Sequence, residues 1–145
     1  MGRKYRNRRG KKAPKRKSRT KIEAKVAQLL DCMEIPYTQN QSVGKYNVDF
    51  LIKECYIVEC YGDFWHCNPQ KYDADYYNRG LKCEAQRKWK KDNKRQQELE
   101  SMGYKMLVLW ESHINNSPKF CKLQIRSLMG GPNNGNNSSG SEKPG

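Results

Sequence analysis

The residues with the clearest chemical potential are an aspartate in an apolar run and a histidine seventeen positions later. Asp49 stands between Val48 and Phe50, and His66 closes the run Gly62-Asp63-Phe64-Trp65-His66. A carboxylate inside an apolar strand is costly unless it is paired or metal-bound. A histidine titrates near neutral pH, which suits general acid or base work. Because hydrolysis of a phosphodiester needs a metal ion beside a proton-transfer group, the pattern predicts that chemistry.

Glu59 is a second candidate metal ligand, in the β-rich run that follows Asp49. A two-residue hairpin loop would put Val58 opposite Asp49, whereas a three-residue loop would put Glu59 there. The sequence does not decide the length of this loop, and therefore does not decide which residue faces Asp49. Glu59 is explained equally well as an outward-facing strand residue. His66 also has a structural interpretation, because an isolated histidine is more often structural than catalytic.

The charge of the chain indicates a polyanionic partner. The 145 residues carry a net charge of +14, and residues 1–21 hold twelve Lys or Arg and no acid, so the remainder carries 14 − 12 = +2. Such a run repels itself until phosphates neutralise it, which predicts a disordered arm that binds nucleic acid. A solubilising tail is the alternative. The arm residues expected to contact double-stranded DNA are Arg8, Arg9, Lys11, Lys12, Lys15, Arg16 and Lys17.

Cysteine usage and hydropathy indicate the compartment. Six cysteines are scattered without a C-x-x-C pair, so neither a zinc knuckle nor a disulfide framework is indicated. No apolar stretch is long enough for a membrane span, and no apolar segment follows the basic run as in a signal peptide. The expectation is a reducing, cytoplasmic setting without membrane contact.

The first ordered element is predicted to be a helix over residues 21–33, because Ile22, Val26 and Leu30 recur at helical spacing. Thr20, followed by Glu23 three residues on, has the pattern of a capping box. That pattern explains Glu23 without any function.

A hairpin, a loop and a second helix follow. Residues 48–52 and 55–61 are β-rich runs with Lys53 and Glu54 between them, which indicates a hairpin. Residues 67–81 show no clear period and are expected to form a loop. Residues 84–101 have helical spacing, and Gly103 is the expected C-terminal cap.

Basic side chains surround the second helix, and Lys88, Lys91 and Arg95 are expected to contact DNA phosphates. Asp92, on the same helix, is explicable by a pairing with Lys88 or Arg95 at helical spacing. Composition alone therefore assigns it no function.

The last part of the folded region is predicted to be a strand and a helix. Residues 104–110 are nearly all apolar, as in a strand buried on both faces and hence central or parallel. Ser117 and Pro118 have the pattern of an N-cap and first position for a helix through residue 129. The expected order is α, β, β, α, β, α. The domain prediction is a disordered basic arm at 1–19, a folded domain at 20–129 and a disordered tail at 130–145.

Over residues 20–111 the chain resembles the very short patch mismatch-repair endonucleases and the related phage homing endonucleases. The resemblance rests on Ile22-Glu23 ahead of Leu29-Leu30, on Val48-Asp49-Phe50, on the run ending in Phe64-Trp65-His66, on Asp92 eleven residues before Gly103, and on Leu109-Trp110-Glu111. It implies an α/β fold with a restriction-endonuclease-like core, a mixed sheet flanked by helices.

The resemblance also implies roles for particular side chains. Asp49 would bind Mg²⁺ or Mn²⁺, His66 would assist proton transfer, and Glu23 and Asp92 would support or orient the site. The family's variable active-site position falls on Cys60, which could offer only its backbone carbonyl to the metal. Glu59 stands where the broader superfamily has its acidic ligand.

One feature of the mismatch-repair members is missing. Their structural zinc site uses Cys and His, whereas Asp63, Asn68 and Ser112 stand at the corresponding positions here. No structural zinc is therefore expected at that place. Cys67, Cys83 and His113 are an alternative zinc set.

The leading functional interpretation is a Mg²⁺-dependent endonuclease that nicks or cleaves duplex DNA, encoded by a phage or mobile element and acting in a bacterial host cell. A mismatch-directed nicking enzyme is the alternative within the same family, with Phe64 and Trp65 as wedges between bases. A nucleic-acid-binding module without catalysis is the third. The recognition sequence, nick versus double-strand break and oligomeric state are left open.

Overall fold

The structure is a computed structural model that describes residues 20–130. The predicted basic arm and nearly all of the predicted tail lie outside the described residues. The elements in chain order are α1 (Lys21–Cys32), β1 (Thr38–Val43), β2 (Tyr46–Ile52), β3 (Tyr56–Tyr61), β4 (Tyr77–Asn78), β5 (Cys83–Glu84), α2 (Ala85–Ser101), β6 (Lys105–Trp110), α3 (Glu111–Asn116) and α4 (Pro118–Leu128).

The main sheet has the strand order β1-β2-β3-β6. The first three strands are antiparallel neighbours, and β6 runs parallel to β3. Helices α1, α3 and α4 contribute to the larger apolar cluster, and Leu99 of α2 belongs to a second one. The predicted mixed sheet flanked by helices is confirmed.

The larger cluster is the main core of the domain. Val26 and Leu30 of α1 meet Phe50 and Val58 of the sheet and Ile125 of α4, and all five are fully buried. Burying an apolar side chain of this size contributes roughly 1.5–3 kcal/mol. This core fixes β2 and β3, the two strands that carry Asp49 and Glu59.

The β2–β3 hairpin shows which residue faces Asp49, a question that the sequence left open. Phe50 pairs with Val58 and Ile52 with Tyr56, so a three-residue loop joins the strands. Lys53 and Glu54 in that loop take φ values of 50° and 60°, in the left-handed region that glycine or asparagine usually occupies. Extending this register by one residue beyond the Phe50–Val58 pair places Asp49 opposite Glu59.

Both long helices match their predictions closely. Helix α1 begins after Thr20, whose hydroxyl oxygen accepts a hydrogen bond from the backbone N–H of Glu23 at 3.3 Å. Glu23 itself is buried and lies on the wall of a cleft. After α2, Gly103 takes a φ of +97°, as expected of a residue that ends a helix.

The predicted strand over residues 104–110 forms as β6 and is parallel to its neighbour, one of the two predicted alternatives. The expectation that it is buried on both faces is wrong, because it lies at the edge of the sheet and only Leu109 of its residues is fully covered. Strand β3 is the buried one, with five of its six residues buried. In this edge strand, the apolar residues of one face pack under helices, while those of the other face remain half-exposed.

Four elements are not predicted by the sequence: strand β1, helix α3 and the two-residue strands β4 and β5, of which β4 lies in the stretch predicted to be a loop. Strand β1 has the polar sequence Thr-Gln-Asn-Gln-Ser-Val and no apolar alternation, and its pairing with β2 holds it in the sheet. Helix α3 has only six residues and precedes the predicted α4, whose expected cap, Ser117, makes no side-chain capping bond. Within residues 20–130, no helix is long and apolar enough to cross a membrane.

Candidate active site

A cleft of about 930 Å³ opens beside β2, β3 and α2. Every residue predicted for catalysis or metal binding lies on its wall: Glu23, Asp49, Glu59, Cys60, His66 and Asp92. These side chains come from α1, two strands, a turn and α2, so the fold gathers groups that are up to 69 positions apart in the chain.

A pair of carboxyl groups forms the acidic wall of the cleft. Glu59 is only 4% exposed and faces Asp49 across the hairpin. Burial and the neighbouring Asp49 raise the pKa of Glu59 to about 7, although Arg95 acts in the opposite direction. Near neutral pH the pair therefore resists full ionisation, and a positive charge placed between the two groups would relieve that resistance.

Cys60 contacts this pair through its backbone. Its N–H donates to Oδ2 of Asp49 at 2.8 Å, while its side chain packs in the main core. Burial, with the nearby carboxylates, raises the pKa of the Cys60 thiol far above its ordinary value. The thiol is therefore protonated and unsuited to metal binding at neutral pH.

Arg95 of α2 is the counter-ion of Glu59. The two side chains form an ion pair, and the same guanidinium donates to the backbone oxygen of Asn47 at 3.0 Å and lies over the ring of Tyr46, 5.0 Å from its centroid. The sequence predicts Arg95 as a DNA contact or as a helical partner of Asp92. In the structure its carboxylate partner is Glu59, 36 positions away, and that ion pair depends on tertiary packing.

His66 is held at one ring nitrogen by Asp92. Its Nδ1 lies 2.9 Å from Oδ2 of Asp92, whose other oxygen accepts from Nζ of Lys88 at 2.9 Å. Burial acts to raise the pKa of Asp92, but the contacts with His66 and Lys88 outweigh it and hold that pKa below its ordinary value. An ionised Asp92 accepts the Nδ1–H, and Nε2 stays clear of this bond.

Tyr61 holds the same imidazole by its face. The two rings stack with centroids 3.8 Å apart and planes 8° from parallel. The edge-to-face neighbour of Tyr61 is Trp110, at 5.4 Å. Tyr61 was not predicted as a site residue, and no signal in the sequence separates it from the other strand tyrosines.

The turn that carries His66 is anchored by Asp63, which is 5% exposed. Its two carboxylate oxygens accept from Nδ2 of Asn68 at 2.9 Å and Nζ of Lys71 at 2.8 Å, and its backbone N–H donates to Oε1 of Glu111 at 3.1 Å. The backbone N–H of Ser112 also bonds Asp63. A polar network thus occupies the place where the resemblance would put zinc.

The alternative zinc set is not assembled. Cys67 lies against Asn78, and the ring of His113 packs edge-to-face against Phe120. Across residues 20–130, no three His, Cys, Asp or Glu side chains are grouped so as to hold a metal ion. The alternative that Cys67, Cys83 and His113 form such a group is therefore excluded for the described residues.

The donor chemistry of the cleft nevertheless fits a hydrated divalent cation. Mg²⁺ usually binds proteins through one or two carboxylates and keeps several waters, which does not require a group of three protein ligands. Asp49 and Glu59 supply two facing carboxyl groups, and the raised pKa of Glu59 is the result expected of an acidic pair without enough positive charge.

Phe64 and Trp65 form an exposed aromatic pair next to the site, with 38% and 55% of their surfaces accessible. The rings are 5.1 Å apart and edge-to-face. They cover Gly80, where a Cβ would meet the Trp65 ring at 2.8 Å. Nδ2 of Asn78 donates to the backbone oxygen of Phe64 at 2.7 Å. The two rings therefore pack on Gly80 and on each other while a large part of their surface stays exposed.

Basic side chains also line the cleft. Of the predicted DNA contacts, Lys88, Lys91, Arg95 and Trp65 line it, whereas Phe64 does not. Lys88 and Arg95 are already paired with carboxylates, and Lys91 is exposed. The predicted arm contacts, residues 8–17, fall outside the described part of the chain.

No family model matches this sequence, but comparisons with curated proteins and with solved structures find similar proteins. The sequence is 29% identical over 118 residues to the Type II nicking enzyme V.NmeAIP of Neisseria meningitidis serogroup A, covering 76% of this chain and 80% of that enzyme. The structure matches the catalytic domain of the homing endonuclease I-Bth0305I with a TM-score of 0.54 and 27% identity, over 75% of this chain and 93% of that domain. Both similarities indicate a nuclease.

Proposed function

We propose that this chain is a metal-dependent endonuclease that nicks or cleaves duplex DNA, built on a restriction-endonuclease-like core. The observation that carries the proposal is the single cleft in which the Asp49–Glu59 pair lies with a His66 held by Asp92. The similarity to a nicking enzyme and to a homing endonuclease domain supports it. A homing-type enzyme of a phage or mobile element, acting in the host cytoplasm, agrees best with the sequence pattern.

The carboxyl pair is the proposed cation site. A bound Mg²⁺ or Mn²⁺ would supply charge stabilisation at the phosphoryl oxygens. Asp49 and Glu59 would hold it, with the Cys60 carbonyl as a third oxygen, because the N–H and C=O of one strand residue point to the same neighbouring strand. The Cys60 N–H keeps Asp49 in orientation by its 2.8 Å bond.

His66 is the proposed proton carrier. Asp92 accepts from Nδ1, so Nε2 is the nitrogen left to move a proton at the scissile phosphate. Lys88 shares Asp92 and keeps that carboxylate ionised. Glu23, whose carboxyl group reaches the cleft from α1, is proposed to support the cation site from its far side.

Contact with the DNA backbone is proposed for the exposed lysines of the cleft and for the arm at residues 1–19. Lys91 and Lys94 of α2 line the cleft with exposed side chains, as do Lys21 and Lys45, and the arm holds eleven of the chain's 29 Lys and Arg. Phosphate contacts position a protein on DNA without specifying sequence. The folded domain at 20–129 would then carry the chemistry, followed by a tail at 130–145.

The proposal is tested by incubating supercoiled plasmid with wild type and Asp49→Ala, in Mg²⁺ and in EDTA. Wild type should give nicked or linear plasmid with Mg²⁺ only, and Asp49→Ala should bind the plasmid equally well and leave it intact. Tight, salt-sensitive binding by wild type without a product in any divalent metal would favour the non-catalytic binding module.

Mismatch-directed nicking is the second candidate, and the exposed Phe64–Trp65 pair beside the cleft favours it. Apolar side chains that are fixed in place can enter a base step that a mismatch has already weakened. The test compares nicking of a mismatched duplex with nicking of the same duplex without the mismatch. A preference that disappears in Trp65→Ala would support this candidate, and equal rates on the two duplexes would exclude it.

A further inference from the structure

We propose that Tyr61 is a positioning residue for the reaction, acting through the imidazole of His66. This inference rests on the proposed function, because it assigns a further residue to the same site. It is carried by the stacked geometry of the two rings and by the way the fold holds the tyrosine.

A hydrogen bond at one atom does not define the orientation of an imidazole ring. The bond from Nδ1 to Asp92 fixes the direction in which that nitrogen points, but the ring can still rotate about the line of the bond. Such rotation would sweep Nε2 through an arc. A second constraint on the plane of the ring is needed to aim Nε2 at one place.

The face of Tyr61 supplies that constraint. Its ring lies 3.8 Å from the imidazole and within 8° of parallel, so rotation of His66 out of its plane would drive ring atoms into the tyrosine. The backbone N–H of His66 donates to the oxygen of Gly62 at 3.0 Å, which holds the base of the side chain. The side chain of His66 remains 24% exposed, enough to reach a substrate.

Tyr61 is itself rigid. It ends the buried central strand β3, is only 7% exposed and packs against Trp110 in an edge-to-face arrangement. The aromatic ring is the part of Tyr61 that stacks on His66, so the proposed role belongs to the ring and not to the hydroxyl.

The experiment uses the full-length protein and needs no substrate. The chain has only two histidines, His66 and His113, so histidine side-chain signals are readily assigned by NMR. In wild type, the carbon-bound ring protons of His66 should be shifted upfield by the Tyr61 ring, and the ¹⁵N shifts should show the proton on Nδ1. His113, packed on Phe120, is the internal control.

Two substitutions separate the ring from the hydroxyl. Tyr61→Phe should keep the upfield shift and the Nδ1 tautomer, whereas Tyr61→Leu should lose the shift and give mixed tautomers, with His113 unchanged in both. Tyr61→Met replaces the leucine variant if that protein fails to fold. Wild type alone also tests the proposal, since the absence of an upfield shift at His66 would overturn it.

Single-turnover kinetics give the second readout. Tyr61→Leu should lower the nicking rate roughly tenfold to a hundredfold, the cost expected of a misaimed catalytic group, with DNA affinity unchanged. Tyr61→Phe should restore the wild-type rate. A phenylalanine variant as slow as the leucine variant, or a leucine variant at full rate, would overturn the positioning role.

Failure of the proposed function would look different. If wild type does not cleave, or if His66→Ala cleaves at full rate, the nuclease mechanism fails while the NMR shifts of His66 in wild type are unaffected. If His66→Ala is inactive but Tyr61→Leu changes neither shifts nor rate, only the positioning role fails.

Discussion

At the scale of single residues, the central feature is a carboxyl pair whose only close positive charge within the described chain is Arg95. The guanidinium of Arg95 lies beside the carboxyl pair, which would also attract a divalent cation. Removing one partner of a buried charged pair leaves the other unsatisfied. Arg95 should therefore stabilise the metal-free protein more than the metal-bound one.

Arg95→Met tests this relation. Without metal, the free energy of unfolding should fall by about 1–3 kcal/mol, because Glu59 loses its partner and escapes part of the cost by binding a proton. Added Mn²⁺ should raise the melting temperature more in the variant than in wild type. The loss of stability in Arg95→Lys should lie between those of wild type and Arg95→Met. Lys90→Met, at an exposed position of the same helix that does not line the cleft, is the control. Equal melting temperatures for Arg95→Met and wild type, with and without Mn²⁺, would refute the relation.

The sequence was most informative about residues whose chemistry conflicts with their surroundings. Asp49 was identified because a carboxylate is unusual in an apolar strand, and the structure places it in the cleft with His66. The partners of these groups were not predictable. Arg95 meets Glu59 from 36 positions away, and Tyr61 stacks on a residue five positions on only because a turn reverses the chain between them.

At the scale of elements, the turn after β3 is held by the carboxylate of Asp63. Burial acts against ionisation, but Lys71 and Asn68 outweigh it and lower the pKa of Asp63 below the ordinary 3.8. A carboxyl group with a lowered pKa in the folded state adds stability above its unfolded pKa and loses it as the pH falls through the folded value. The turn should therefore loosen in acid.

Asp63→Asn should remove this acid-sensitive contribution. Wild type should lose stability as the pH falls below about 4, while the variant should be less stable at pH 7 and should show a weaker loss on acidification. Thermal unfolding from pH 7 to pH 3 provides the measurement. Asp75→Asn, an exposed position in the same region, is the matched control and should follow wild type. An Asp63→Asn curve parallel to that of wild type would contradict the anchoring role.

Elements with a strong period were predictable, and those fixed by pairing were not. The apolar spacing of α1 and α2 was enough to place both helices to within a residue at each end. Strand β1 shows no apolar pattern, because its residues are polar and it is held in the sheet by pairing with the apolar strand β2. The three-residue hairpin loop, which decides the partner of Asp49, uses Lys53 and Glu54 in conformations that their residue types do not signal.

At the scale of the whole molecule, positive charge is concentrated in the sequence before the folded domain. Residues 1–21 account for all but +2 of the net charge of +14. Each phosphate that a basic residue neutralises releases counterions, which makes binding to DNA depend on salt. The arm should therefore dominate the affinity for DNA, and the cleft should dominate the chemistry.

Replacing the seven basic residues at positions 8–17 by glutamine in the full-length chain tests this division. The slope of log affinity against log salt concentration should become shallower by up to about 6, at about 0.9 for each phosphate that is no longer neutralised. The rate at saturating DNA should remain that of wild type. Lys119→Gln with Arg126→Gln, both exposed on α4, is the control and should leave the slope unchanged. A slope unaffected by neutralising the arm would assign backbone binding to the folded domain.

The most direct test of the proposed active site is single-turnover nicking of a labelled duplex, measured against Mn²⁺ concentration, for wild type, Asp49→Asn and the control Asp75→Asn. Wild type and the control should show a metal-dependent rate. Asp49→Asn should be at least about a hundredfold slower at every metal concentration, with DNA binding intact, as expected when a cation loses a carboxylate ligand. Nicking by Asp49→Asn at the wild-type rate and with the wild-type metal dependence would contradict the assignment of this cleft as the active site.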